Sequence, residues 1–348
     1  MSQPMFKPVL PDPAEKPPER VYLDYYRLAE APFAITPDPD FLFSSNGHRQ
    51  VLDAIGYAID GYMGFVLLTG EVGTGKTTIC RALLDRLNGK AETVYVINPS
   101  ISGHELLANI LADIGTPPEA GTGKKELIDR LSRHVLANHW QYPFVVIIDD
   151  AQTMPLETLE ELRLLSNLET DKRKLIQVVL SGQPELLNML ADKRLRQLKQ
   201  RIAINCHLSP LSAPETESYI SRRLHVAGNQ GQINFSRAAV RLIHKASGGI
   251  PRLINRVSDF SLTAGYVEDS PAIKPAHVKR ALCELYDFNL QANGCGSRKL
   301  LYEWIVTTVL LVLISLAFLI TPIGAGDTAK TKMIEVPPAH GPAILPLK

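Results

Sequence analysis

The chain has 348 residues, which is enough for two domains of ordinary size. Its 37 lysines and arginines nearly balance its 36 aspartates and glutamates, so the net charge of +1 gives no global reason to expect nucleic-acid binding. The four cysteines are scattered without Cys-x-x-Cys spacing, which argues against a zinc site and indicates a reducing, cytoplasmic compartment.

The N-terminal region changes composition near residue 21. Residues 1–20 contain six prolines and several charges, so we expect a disordered leader, and they show no signal-peptide pattern. Residues 22–43 carry several aromatic residues and prolines, which predicts a short segment packed on the domain that follows. Residues 48–62 read as an amphipathic helix that leads into the first strand.

A glycine-rich loop lies between a predicted strand at 65–69 and a predicted helix at 79–87. It reads Gly-Glu-Val-Gly-Thr-Gly-Lys-Thr-Thr and fits the phosphate-binding pattern Gly-x-x-x-x-Gly-Lys-Ser/Thr. Glycine allows the backbone N–H groups to approach a polyphosphate, and the helix directs its N-terminal dipole at the anion. We therefore expect a nucleotide site, with Lys76 on the β- and γ-phosphates and the Thr77 hydroxyl on Mg²⁺.

The predicted phosphate-binding loop, the P-loop, comprises Gly70, Glu71, Val72, Gly73, Thr74, Gly75, Lys76, Thr77 and Thr78. The aromatic segment at 22–43 is expected near the adenine. A second Thr-Gly-Lys at 122–124 has proline at position 118 where the pattern needs glycine, and it follows no strand. We interpret that second sequence as a surface loop.

Further strands and helices alternate after the P-loop. Strands are predicted at 93–97, 144–148, 175–180 and 202–208, and helices at 103–114, 124–139, 157–167 and 185–200. This alternation predicts an α/β fold with a doubly wound parallel sheet.

Polar residues follow two of the apolar strands. Asp149 and Asp150 end the strand at 144–148, at the sheet edge where such folds bind ligands. Asp149 is expected to hold Mg²⁺ through water and Asp150 to polarise the attacking water. Gln183, after the strand at 175–180, is expected to read the γ-phosphate, with Ser181 as the second choice. No Asn-Lys-x-Asp sequence follows that strand, so ATP is preferred to GTP.

The strand signal stops after residue 210. Helical segments at 215–226, 237–245, 251–265 and 275–286 predict a helical domain at 211–286, after a nucleotide-binding domain at 21–210. A polar linker at 287–299 precedes a predicted transmembrane helix at 300–323, within which residues 304–323 carry no charge and could cross about 30 Å of hydrocarbon. Residues 324–348 form a short proline-containing tail.

The chain resembles AAA+ ATPases, and within them the general secretion pathway protein A family of the ExeA type, whose relatives serve pilus assembly and exosortase-linked polysaccharide loci. The resemblance covers about residues 21–286. The sequences that carry it are Pro-Phe at 32–33 with Thr-Pro-Asp-Pro at 36–39, residues 64–73, Leu-Leu-Ser-Asn-Leu-Glu-Thr at 164–170, Gly-Gln-Pro-Glu-Leu at 182–186 and Ser-Gly-Gly-Ile-Pro-Arg-Leu-Ile-Asn at 247–255.

The resemblance implies roles for two arginines. Arg252, in the Gly-Gly-Ile-Pro-Arg sequence, would touch the γ-phosphate from the helical domain. Arg201 matches an arginine finger that acts on a neighbouring subunit, with Arg196 as the alternative.

Two departures affect what the family implies. Asp150 stands where the family usually has glutamate, and the chain after residue 323 is too short for the family's peptidoglycan-binding domain.

These observations favour a homo-oligomeric ATPase that uses ATP and Mg²⁺ and is anchored in the inner membrane by one pass. Its ATPase domain would lie in the cytoplasm and its tail outside, and its partner would be a protein of a cell-envelope secretion, pilus or polysaccharide export machine. A DNA-acting AAA+ protein of the transposition-regulator or origin-binding type is one alternative, although nucleic acid is not expected as a partner. A slow nucleotide-dependent scaffold is the other.

Overall fold

The structure is a computed structural model. It describes residues 21–34, 41, 43–138, 142–165, 168–170 and 173–292, and of residues 286–292 it describes only the backbone. By its internal contacts the chain divides into one unit at 1–286 and a second at 287–348. The predicted linker, transmembrane helix and tail lie outside the described residues, apart from the backbone of 287–292. Among described residues, no helix has the length and apolar character to cross a membrane.

A five-stranded parallel sheet forms the centre of the first unit, in the order β2-β3-β4-β1-β5. Its strands are β1 (Phe65–Gly70), β2 (Glu92–Val96), β3 (Phe144–Ile148), β4 (Ile176–Gly182) and β5 (Ile202–Leu208). β1, β3 and β4 are buried along their whole length, as their continuous apolar sequences predict. The predicted α/β parallel sheet is therefore confirmed.

Alternation along the strands creates a core on each face of the sheet. Phe65 and Leu67 of β1 join the cluster formed with α4, α5 and α6, whereas Val66 and Leu68 join the cluster formed with α2 and α3. This difference follows from the two-residue period of a strand, which sends successive side chains to opposite faces. The helices that cover the two faces are α2 (Asn46–Asp60), α3 (Lys76–Leu87), α4 (Gly103–Asp113), α5 (Lys124–Asn138) and α6 (Leu156–Leu165).

The predicted helix at 185–200 is broken in the structure. Helix α7 covers Glu185–Met189, a 3₁₀ turn covers Lys193–Leu195 and α8 covers Arg196–Lys199. The break is at Asp192, whose extended backbone (ψ 139°) leaves the helix and whose side chain accepts a hydrogen bond from the Arg194 N–H. An aspartate that caps the next turn competes with continuation of the helix. The prediction of one long helix was therefore wrong.

The remaining helices form the part of the chain that we call the lid: α9 (Ala213–Val226), α10 (Arg237–Ser247), α11 (Pro251–Val267) and α12 (Pro275–Ala292). The lid also contains a short parallel pair, β6 (Asn234–Phe235) and β7 (Ala272–Ile273), that sequence analysis did not predict. Two-residue strands are too short to show a periodicity. The lid helices pack around one apolar cluster.

The N-terminal aromatic segment packs on the lid, and this differs from the expectation that it packs on the nucleotide domain. Helix α1 (Leu23–Tyr26) opens it, and Tyr22, Tyr26 and Phe33 are almost fully buried in the apolar cluster of the lid. The Ala29 N–H donates to the Ala227 carbonyl oxygen (2.9 Å), which fixes the segment at the end of α9.

Two consecutive glycines join α10 to α11, and their surroundings differ. Gly249 has φ +77°, and a Cβ there would lie 2.1 Å from the Leu211 carbonyl oxygen, whereas Gly248 has φ +58° with nothing within 4 Å. We expect Gly249→Ala to lower the free energy of unfolding by more than about 3 kcal/mol, because a backbone atom must move. Gly248→Ala, the matched control, should lower it by only about 1–2 kcal/mol. Chemical denaturation measures the free energy of unfolding of both variants. Equal losses would contradict the contact between position 249 and the Leu211 carbonyl oxygen as the cause.

Candidate nucleotide-binding site

The P-loop connects β1 to α3 and depends on glycine at three positions. Gly73 and Gly75 have φ of +83° and +107°, a region that side-chain-bearing residues seldom adopt. A Cβ on Gly70 would lie 2.8 Å from the Leu208 carbonyl oxygen of β5. These glycines allow the loop to curl back over the sheet edge, so that its N–H groups can converge on one point.

Lys76 begins α3 and places its ammonium group inside the loop. Its Nζ donates to the carbonyl oxygens of Gly70 (2.7 Å) and Glu71 (3.0 Å), and only 7% of the residue is exposed. Burial lowers the pKa of Lys76, while the carboxylates of Asp149 and Asp150 oppose that shift. The loop thus holds a buried cation beside two acidic groups.

Asp149, at the carboxyl end of β3, is buried and surrounded by hydroxyl groups. Thr77 Oγ1 donates to its Oδ2 (2.7 Å), Ser181 Oγ donates to its Oδ1 (2.8 Å) and the Tyr95 hydroxyl donates to Oδ2 (3.3 Å). The predicted pair Thr77 and Asp149 therefore meet in space. A hydroxyl and a carboxylate next to a phosphate-binding loop fit Mg²⁺, which takes few protein ligands and keeps several waters.

Ser181 was the second choice, after Gln183, for the residue that reads the γ-phosphate, but the structure gives it another role. Ser181 is fully buried and its hydroxyl is directed at Asp149, so it fixes the carboxylate rather than facing the cavity.

Asp150 is the exposed neighbour of Asp149 and is held by a glutamine. Its backbone is left-handed (φ 52°), and Gln152 Nε2 donates to its Oδ1 (3.0 Å). The Oε1 atom of Gln152 accepts from the backbone N–H of Gln183 (2.9 Å). Gln152 therefore joins the ends of β3 and β4, and both Asp150 and Gln183 line the cavity at the P-loop.

Arg252 reaches the P-loop from the lid. Its backbone N–H donates to the Gly73 carbonyl oxygen (3.3 Å), and a Cβ on Gly73 would lie 2.6 Å from the Cβ of Arg252. The side chain of Arg252 lines the cavity, and its guanidinium makes no ion pair with any residue that the structure describes. The lid thus adds a positive charge beside the loop.

Aromatic side chains line part of the cavity. The cavity has a volume of about 500 Å³, within the range of small-molecule sites, and Phe41, Phe43 and Tyr219 line it. The guanidinium carbon of Arg223 lies 4.7 Å from the centre of the Phe41 ring, and Nη1 donates to the Tyr219 hydroxyl (2.9 Å). Arg223 also donates to the carbonyl oxygens of Pro32 and Ala34, so it fastens the N-terminal segment to α9.

Arg201 lies away from the cavity of its own chain. It directly precedes β5, and because the strands are parallel this is the edge opposite the P-loop, roughly 20 Å away along a seven-residue strand. Its Nη1 donates to the Arg163 carbonyl oxygen (2.9 Å). Arg196, the alternative, is exposed at the start of α8.

Several residues at the site were not predicted from sequence: His48, Tyr95, Gln152, Tyr219 and Arg223. Gln152 lies two residues after Asp150, and the sequence pattern there assigns it no role. The others reach the cavity or Asp149 from distant parts of the chain, and no local pattern marks them. His48, at the start of α2, was used only to place a helix.

A family model described as an AAA domain matches residues 59–190. Over 266 residues the chain is 44% identical to general secretion pathway protein A of Aeromonas hydrophila, across 76% of this chain and 48% of that protein. The chain therefore contains an AAA domain, and the P-loop lies within the matched residues. The predicted resemblance to general secretion pathway protein A is confirmed, and the chain spans about half the length of that relative.

Solved structures share the fold of this AAA+ chain. The ORC2 protein of Aeropyrum pernix, solved in ADPNP–ADP complexes, has a TM-score of 0.55 at 18% identity, covering 73% of this chain and 71% of that one. CDC6P of Pyrobaculum aerophilum has a TM-score of 0.55 at 20% identity, covering 72% and 71%. At these identities the likeness shows the fold alone.

Proposed function

We propose that this AAA+ chain binds and hydrolyses Mg-ATP in the cavity between the P-loop and the lid, and that turnover drives assembly or operation of a cell-envelope machine. The observation that carries the proposal is the meeting of Lys76, Thr77 and Asp149 at one edge of the sheet. These residues come from β1–α3 and from the end of β3, and together they supply a buried cation, a hydroxyl and a carboxylate.

Phosphate binding is assigned to the P-loop and Lys76. The loop N–H groups would surround the phosphates, and Nζ would exchange its present bonds to the Gly70 and Glu71 carbonyl oxygens for bonds to the β- and γ-phosphates. Thr77 and Asp149 would hold Mg²⁺, the latter through water, while Ser181 and Tyr95 keep the Asp149 carboxylate oriented. When bound, Mg²⁺ would neutralise charge on the phosphate oxygens.

Hydrolysis is assigned to polar groups that line the same cavity. Asp150 would orient and polarise the attacking water, and Gln152 would keep its carboxylate in place. Gln183 and Arg252 would contact the γ-phosphate from β4 and from the lid. The aromatic side chains of Phe41 and Tyr219 offer a surface for the adenine.

A neighbouring subunit would complete the site through Arg201. Since Arg201 is at the opposite sheet edge, its guanidinium cannot serve the cavity of its own chain.

We expect the specific ATPase activity of the full chain in lipid vesicles to rise with the number of chains per vesicle. Mixing inactive Arg201→Ala with inactive Lys76→Ala should restore partial activity, because one kind of interface pairs an intact P-loop with an intact Arg201.

The matched control mixes Lys76→Ala with Asp150→Asn. Lys76 and Asp150 both line the cavity of their own chain. Every site in this mixture therefore lacks one of the two residues, and no activity should return. Full activity of Arg201→Ala alone, or density-independent activity without rescue, would contradict the trans role and favour the slow scaffold.

Membrane anchoring and an envelope partner complete the proposal. The uncharged residues 304–323 support a single inner-membrane pass, with the ATPase part in the cytoplasm and the tail outside. The name of the Aeromonas relative supports a secretion-related partner. The chain shares only its fold with the compared structures, so they do not by themselves support a DNA-acting role. Salt-sensitive stimulation of turnover by DNA would favour that role over the envelope role.

A further inference from the structure

His48 is a buried histidine that touches the P-loop and lines the edge of the same cavity. It stands in the first turn of α2 with 6% of its surface exposed, and its Nε2 lies 2.8 Å from where a Cβ on Gly75 would be. Burial lowers the pKa of His48, while the charge of Glu215 and a hydrogen bond to the Thr74 backbone act in the opposite direction. The imidazole thus contacts the Thr74–Gly75 peptide directly.

The contacts of His48 define its tautomer. Ser45 Oγ accepts from the backbone N–H of His48 (3.2 Å) and lies 2.6 Å from Nδ1. The hydrogen bond to the Thr74 backbone favours the charged ring, so the ring donates it and the Thr74 carbonyl oxygen accepts it. Nδ1 lies beside Ser45 and Nε2 beside Gly75, so Nε2 is the nitrogen that faces Thr74. In the neutral ring Nε2 then carries the proton, and Nδ1 accepts from the Ser45 hydroxyl. Every polar atom of the ring has a partner in this arrangement.

The Thr74 carbonyl determines where the next N–H points. In a planar trans peptide, the C=O of one residue and the N–H of the next point in opposite directions. A Thr74 carbonyl held toward His48 therefore sends the Gly75 N–H away from the imidazole. In a P-loop that N–H is one of the groups available to a phosphate oxygen.

The support for His48 is attached to the lid. The backbone N–H of Asn46 donates to Glu215 Oε1 of α9 (3.2 Å). The other carboxylate oxygen of Glu215 accepts from the backbone N–H (3.0 Å) and the hydroxyl (2.7 Å) of Ser212. Among described residues, Glu215 is the charged group that acts on His48, and the P-loop presents backbone to it.

We propose that His48 is a positioning residue: it holds the Thr74–Gly75 peptide in the phosphate-binding orientation, and Glu215 makes that orientation depend on the lid. The inference rests on the proposed nucleotide site. Nucleotide affinity should therefore depend on His48 and also on Ser45 and Glu215, which do not line the cavity.

The test measures the dissociation constant of a fluorescent ADP analogue for the purified full chain. His48→Leu and Ser45→Ala should each raise it about tenfold, as expected when one oriented donor is lost. His48→Gln should stay close to the parent, because the glutamine amide returns a donor near the Nε2 position. Glu215→Ala should raise the constant less than His48→Leu does.

The chain contains a matched control for the capping contacts. Ser102 and Glu105 form at α4 the same capping box that Ser212 and Glu215 form at α9, away from the cavity. Ser102→Ala and Glu105→Ala should lower the melting temperature without changing the dissociation constant. If His48→Leu does not fold, Ser45→Ala and Glu215→Ala carry the test.

Two results would overturn the inference separately from the proposed function. If His48→Leu binds the analogue like the parent while Lys76→Ala loses binding, the nucleotide site stands and His48 has no role in it. Equal losses in the Ser102 and Glu105 controls would assign the effect to general stability. Absence of binding by the parent would remove the proposed function and this inference with it.

Discussion

Lys76→Ala is expected to abolish ATP turnover, with a loss of at least about 100-fold, and to weaken nucleotide binding. The ammonium group is buried inside the loop and faces the carbonyl oxygens of Gly70 and Glu71, at the place assigned to the phosphates. Removing it leaves negative charge on the phosphates without its nearest counter-charge. Phosphate release and the dissociation constant for ATP measure the two effects.

The second Thr-Gly-Lys supplies the control. Lys124 occupies the same place in that sequence as Lys76 in the P-loop, but it begins α5 and pairs with Glu161 (2.5 Å) outside the cavity. Lys124→Ala should lower stability slightly and leave turnover unchanged. Normal turnover in Lys76→Ala, or a comparable loss in Lys124→Ala, would refute the assignment of the P-loop.

Asp150→Asn is expected to bind Mg-ATP like the parent and to hydrolyse it about 100-fold more slowly or worse. The exposed carboxylate is held by Gln152, and an amide cannot accept a proton or polarise water to the same degree. Asp150→Glu should keep turnover, since it restores the reach that the resemblance implies. Binding and single-turnover hydrolysis separate the two steps.

Asp269 is the matched control for this change. It is an exposed aspartate with nearly the same positive φ (50° against 52°), and asparagine tolerates that conformation at both positions. Asp269→Asn should leave hydrolysis unchanged. If Asp150→Asn hydrolyses ATP at the parent rate, Asp150 has a structural role and the water is held elsewhere.

Local patterns predicted much of the fold and the centre of the site. The apolar runs of β1, β3 and β4 are continuous because these strands are buried on both faces, and their ends carry the polar residues of the site. The P-loop sequence fixes its own conformation through Gly73 and Gly75. These features depend on neighbours in sequence, so they can be read without the structure.

Contacts between distant segments could not be predicted in this way. Arg223 holds the N-terminal segment against α9 across almost 200 positions, and nothing near it in sequence indicates that contact. Tyr95 and Ser181 reach Asp149 from two other strands. The break at Asp192 was missed because a capping aspartate and an interior helical residue look alike in a periodic pattern.

The most direct test of the account is the structure of the full-length Asp150→Asn protein determined with Mg-ATP. We expect Lys76 Nζ to leave the Gly70 and Glu71 carbonyl oxygens and to lie about 3 Å from phosphate oxygens. Mg²⁺ should lie beside Thr77 and Asp149, and the adenine should contact Phe41 or Tyr219. Nucleotide bound elsewhere, or Nζ still bonded to the two carbonyl oxygens with ATP present, would contradict the account.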